Sequence, residues 1–180
     1  SRVTDDREPM WIGFQVLSCL LALVAGAMSG LWLYDRYMLA FYDLISLNEY
    51  PDVNPAEIAG DAILDAGFIG FSDGSQLHSE MLSSYRSGDT YCVVPIVNAN
   101  VNDTMATYDF WAVGKNCCSD PLGVFRCGEY RNPHAQSGLR VVDSVDRDGY
   151  LLAVKQAEAK FGVTARYPVF VTWCQNPLKF

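Results

Sequence analysis

The sequence predicts an α+β protein in which one N-terminal transmembrane helix precedes a disulfide-containing, mostly antiparallel soluble domain. Three observations predict it. No residue from Met10 to Tyr34 is charged, short runs rich in β-branched and aromatic residues recur in the C-terminal two thirds, and five of the six cysteines follow the apolar run. With 180 residues, half of them apolar, the chain can bury one core and carry an appendage, which excludes a disordered protein.

The span comes first. About 20 apolar residues cross the hydrocarbon core as a helix, and residues 10–34 exceed that. Trp11 stands at one end and Trp32, Tyr34 and Tyr37 at the other, where amphipathic rings meet the two interfaces. A signal peptide fits poorly: the run is too long, acids precede it and no small-residue cleavage site ends it. Ser18, Ala22, Gly26 and Gly30 recur every four residues and include a G-x-x-x-G, which lets another helix approach closely. Residues 1–9 form a tail before the span. Residues 35–50 read as an amphipathic extension with Tyr37, Met38, Phe41, Leu44 and Ile45 on one stripe.

Orientation follows from charge. Arg2 and Arg7 precede the span and only Arg36 follows it closely, which places the N-terminus on the cytosolic, stromal or matrix side. Residues 51–180 then form a lumenal or extracytoplasmic domain. The sequon Asn102-Asp103-Thr104 and the cysteines point the same way.

Within that domain, "NPAEIAGDAILDAG" carries helix signals: Asn54 as cap, Pro55 at the first position, Glu57 closing a capping box and Gly67 as stop. Strands are expected at 68–71, 90–97, 107–113, 122–127, 139–143 and 167–174. Between the last two, Leu151, Val154, Ala157 and Phe161 share one face of a helix that Gly162 ends, and "DSVDRDG" caps that helix from Gly149.

The cysteines of the soluble domain are Cys92, Cys117, Cys118, Cys127 and Cys174, with Cys19 inside the span. Adjacent cysteines rarely bond each other, because the small ring strains the peptide between them. Cys117 and Cys118 are therefore expected to point apart. One reaches Cys127 across a turn at Pro121-Leu122-Gly123, and the other reaches Cys92 or Cys174. Zinc is the rival, but no C-x-x-C is present, and His78 and His134 sit in loop-like sequence.

Other chemistry is sparse. The net charge of −8 excludes a nucleic-acid partner. From Asp43 to Glu80 there are eight acids and no Lys or Arg. That stretch is a solvated face or a docking surface, with Asp61, Asp65 and Asp73 as its candidates. Asp61 and Asp65, one helical turn apart, could also share a cation, and Cys127 with His134 could form a nucleophile pair. Exposed acids and disulfide cysteines are the commoner readings of both. Asp143, Asp146 and Asp148 lack the spacing of a calcium loop. The span offers only Gln15 as an axial ligand. No nucleotide-binding loop, nucleophile elbow or metalloprotease motif occurs, so the sequence predicts no enzyme.

The pattern "GDAILDAGFIGF … YCVVPI … DFWAVGKNCC … FRCG" resembles a family of membrane-anchored proteins without assigned activity from dinoflagellate algae and their alveolate relatives. The likeness covers residues 50 to 175, and its most specific part is Phe110–Gly114 with Cys117, Cys118 and Cys127. It implies a lineage-specific protein with no catalytic role to carry over. The single span leads us to expect a non-catalytic accessory subunit of a large membrane complex, and the likeness makes a photosystem with its antenna in the thylakoid the first expectation. Its partners would be other membrane subunits and lipid. No cofactor is implied beyond peripheral contacts with chlorophyll or carotenoid. The alternative is a single-span secretory-pathway protein whose disulfide domain binds an extracellular ligand or partner.

Overall fold

No proline or charge interrupts the sequence after Pro9 until Asp35, and α1 accordingly runs unbroken from Glu8 to Leu33. The protein, a computed structural model, is described at residues 8–39, 42, 46–99, 107–119 and 123–176. It divides into two compact units, Ser1–Tyr42 and Asp43–Phe180. In the first, α1 loosens where the charged Asp35 and Arg36 arrive: Tyr34–Met38 is a π-helical turn, and the Leu39 N–H donates to the Tyr34 carbonyl. The segment Met10–Met38 is one helix long and apolar enough to cross a membrane, and none of its apolar window is buried within the chain. Phe41, Leu44 and Ile45 of the expected amphipathic extension lie outside the described residues, as do the sequon at 102–104 and Pro121-Leu122.

Among the described residues the second unit has ten strands. These are β1 (Asn48–Val53), β2 (Ala66–Phe71), β3 (Ser75–Leu77), β4 (Ser83–Ser87), β5 (Asp89–Asn98), β6 (Phe110–Lys115), β7 (Cys118–Ser119), β8 (Val124–Phe125), β9 (Ser137–Arg140) and β10 (Val169–Cys174). Eight form one sheet in the order β1-β2-β9-β10-β6-β5-β3, with β4 beside β3 along the long β5, and β7 with β8 forms a small hairpin. The sheet is mixed but mostly antiparallel, in keeping with the expectation. The pairs β1–β2 and β6–β10 are parallel and the rest antiparallel. Short apolar runs carry no signal of strand direction. Parallel neighbours need a long crossover, and here the whole segment 116–168 intervenes between β6 and β10.

Both faces of the sheet are buried, and the side-chain period of two divides them. On one face Cys92, Val94 and Ile96 of β5 meet Phe110 and Ala112 of β6 and Val169, Val171 and Trp173 of β10. On the other, Val93, Trp111, Val113 and Phe170 pack against α2 (Ser144–Phe161) through Tyr150, Ala153, Val154 and Ala157. Burial on two sides explains why these strands read as continuous apolar runs.

Two helical expectations need correction. The segment after Asn54 is no α-helix. The Asn54 side chain does accept from the Ala56 N–H (3.2 Å), but the chain then makes only a 3-10 turn at Gly60–Ile63, and Gly67 lies inside β2. Tertiary structure overrides propensity, because Ala66 and Ile69 are completely buried in the sheet and the Gly60 N–H is drawn to the buried Asp109. The helix α2 begins at Ser144 rather than Gly149, with the Asp143 carboxylate accepting from the Val145 N–H, and it ends on the left-handed Gly162. Its buried face uses Tyr150 and Ala153, while Leu151 lies off it and exposed.

Candidate functional site

Cys92 and Gly114 are directly opposed across β5 and β6, so they face the same side of the sheet. After Lys115, Asn116 takes the left-handed conformation (φ 56°), which asparagine tolerates. It holds that turn by exchanging bonds with β5: its N–H donates to the Thr90 carbonyl (2.8 Å) and its side-chain oxygen accepts from the Thr90 N–H (2.9 Å). Its amide also donates to Asp89 (2.9 Å). The reversal folds Cys117 back over Gly114 and sends Cys118 into the β7–β8 hairpin, where it pairs with Phe125.

Two disulfides result. Cys92 bonds Cys118 and Cys117 bonds Cys127, so the adjacent cysteines take different partners. A Cβ on Gly114 would come within 2.6 Å of the Cys117 sulfur and of the Cys127 Cβ, so only glycine leaves room for the second bond. The Sγ atoms of Cys92, Cys117 and Cys127 all lie within 4.8 Å of one another. Cys92 and Cys127 are buried, whereas Cys117 and Cys118 are partly exposed. Such a sulfur group could ligate a soft metal as thiolates, but here all of it is held in disulfides.

Cys174, expected as a disulfide candidate, is instead a free, fully buried thiol on β10, and Cys19 is the other free cysteine. Burial, with the Glu129 carboxylate as a second cause, pushes the Cys174 thiol up to about 11. Cys127 is consumed by its disulfide, which removes it as a nucleophile for His134. Asp146 forms an ion pair with Lys115 (2.7 Å), tying α2 to the end of β6.

Of the acidic residues, Asp61 and Asp73 are exposed. Asp65 is exposed too, but it is engaged at the surface, accepting from the Asn48 amide (2.7 Å) and the Tyr50 hydroxyl (2.9 Å). Those two bonds hold its carboxyl below the usual range. In the first unit, Gly26 and Gly30 have nothing within 4 Å of where a side chain would start. The Ser18 hydroxyl donates back to the Gln15 carbonyl (2.9 Å), and Ala22 is exposed like the rest of the stripe.

The sequence reading missed Asp109. It is 2% exposed, and its carboxylate accepts from three backbone N–H groups: Gly60 (3.1 Å), Arg166 (2.8 Å) and Tyr167 (3.2 Å). A Cβ on Gly60 would collide with the Tyr167 carbonyl at 2.1 Å, so this junction also demands glycine. The carboxylate pins the 3-10 turn and the entry to β10 onto the start of β6.

No protein-family model, curated protein or solved structure matches the chain.

Proposed function

We propose that this protein is a non-catalytic, membrane-anchored accessory subunit of a larger membrane assembly. In this reading α1 crosses the bilayer once, and Ser18, Ala22, Gly26 and Gly30 pack it against a partner helix. The β-rich unit stands on the lumenal, oxidising side, where disulfides persist. One observation carries the reading: a helix of membrane-spanning length and composition leaves its whole apolar window unburied within the chain. Lipid covers most of such a surface, and small residues are where a second helix approaches closely.

The likeness of Phe110–Gly114 with Cys117, Cys118 and Cys127 to membrane-anchored alveolate proteins supports a photosystem–antenna assembly in the thylakoid as the setting. Extraction of native membranes with a mild detergent, followed by non-denaturing separation, tests this. The chain should run with a pigment-bearing assembly much larger than its own 20.0 kDa. A chain that runs alone and carries a glycan on Asn102 would instead belong to the secretory pathway.

A further inference from the structure

We propose that Cys92, Cys117, Cys118 and Cys127 form a thiol–disulfide exchange centre, which a dithiol reductant converts into one buried disulfide and one surface pair of adjacent thiols. Two features carry it. The first is proximity: sulfurs from two separate disulfides, those of Cys92, Cys117 and Cys127, lie within 4.8 Å of one another, with those of Cys117 and Cys127 in the space left by Gly114. The second is an asymmetry shared by both bonds. Each joins one partly exposed sulfur, Cys118 or Cys117, to one buried sulfur, Cys92 or Cys127.

The chemistry follows from those positions. A thiolate of the reductant attacks the accessible Cys118 Sγ, forming a mixed disulfide and breaking the Cys92–Cys118 bond. The electron pair leaves on the Cys92 sulfur as a thiolate. That thiolate is buried beside the second disulfide and attacks the Cys127 Sγ. A Cys92–Cys127 bond forms, the Cys117–Cys127 bond breaks, and the electron pair leaves on Cys117, which takes a proton from water. The reductant's second thiol then displaces Cys118 from the mixed disulfide. In sum, the dithiol is oxidised to a disulfide and the protein gains two thiols, on Cys117 and Cys118. The two buried sulfurs end bonded to each other and the two accessible ones end free.

Adjacent thiols at the surface bind trivalent arsenicals and can pass electrons to a further disulfide, which two isolated structural disulfides cannot do. Exchange proceeds through the thiolate, so below the thiol's pKa its rate should rise about tenfold per pH unit.

The test uses the full chain in detergent, treated with one equivalent of dithiothreitol, quenched in acid, alkylated and mapped by peptide mass spectrometry without reduction. The expected half-reduced species carries a Cys92–Cys127 bond, alkyl groups on Cys117 and Cys118, and retention on an immobilised phenylarsine oxide resin. A second arm needs no reductant. Cys118→Ser leaves Cys92 unpaired from the start, and this variant should map with Cys92 bonded to Cys127 and Cys117 free. Half-reduced chains that keep only original bonds, or a Cys92–Cys117 bond in either arm, would overturn the proposal.

Discussion

Gly114 lies opposite Cys92 in the β5–β6 pair, and the Cys117–Cys127 disulfide occupies the space that a side chain on Gly114 would fill. Gly114→Ala should therefore force the hairpin off the sheet. Overpacking of this kind costs about 1–3 kcal/mol. Thermal unfolding of the variant should show that loss, and thiol titration should find more free cysteine than the two that the native chain leaves unpaired.

Asp109 supports the opposite end of β6. Asp109→Ala would strand the N–H groups of Gly60, Arg166 and Tyr167 without an acceptor. The Gly60 bond is buried and the other two are partly buried. An unsatisfied buried donor costs about 1–3 kcal/mol, against a total stability of about 5–15 kcal/mol for a domain of ordinary size. The expected outcome is a β-rich unit that melts far below the parent or fails to fold, read by circular dichroism. A melting point unchanged from the parent would contradict the anchoring role.

Asp65 gives a pH dependence with a definite sign. Its folded pKa lies below the ordinary 3.8 because the ionised form accepts from Asn48 and Tyr50. Its contribution is therefore complete above the unfolded value and disappears as the pH falls through the folded one. Hydrogen exchange of β1 amides, measured from pH 6 downwards, should quicken in the parent below about pH 4 relative to the intrinsic rate. In Asp65→Asn the protection of β1 should be lower at pH 6 and should change less with acid.

Cys174 should behave as an inert core residue. Its thiol is buried and titrates at about 11, so at neutral pH almost none of it is the reactive thiolate. Iodoacetamide should label Cys174 only once denaturant unfolds the sheet. Rapid labelling in the native protein would place the thiol at the surface.

What the sequence made legible was whatever depends on local pattern. The runs around Val93, Trp111 and Val171 gave their strands because β-branched and aromatic residues fit a pleated, buried surface. The Cys117-Cys118 neighbours implied separate partners because of peptide strain. Strand direction was not legible, since the apolar run of β10 reads the same beside a parallel or an antiparallel partner. Nor were the edge strands β1, β3 and β4, whose sequences NEYPDV, SQL and SSYRS lack an apolar period. Asp109 looked like one more acid in "TYDFWAV", because its acceptors' partners come from positions far along the chain. Asn116 gave a faint signal, an asparagine directly before the cysteine pair, where a left-handed turn is needed to bring both into reach.

The central claim is that α1 holds this chain in an assembly through its small-residue stripe, and paired replacement of Gly26 and Gly30 by Leu tests it most directly. Apart from the helix's own backbone and chain neighbours, no described residue lies within 4 Å of where a side chain would start at either position, so the substitutions meet no neighbour among the described residues. The bulk would fall on a partner helix. The full-length double variant should stay in the membrane fraction through an alkaline carbonate wash, yet appear mostly free of the assembly after mild-detergent extraction and non-denaturing separation. Retention equal to that of the parent would contradict the account.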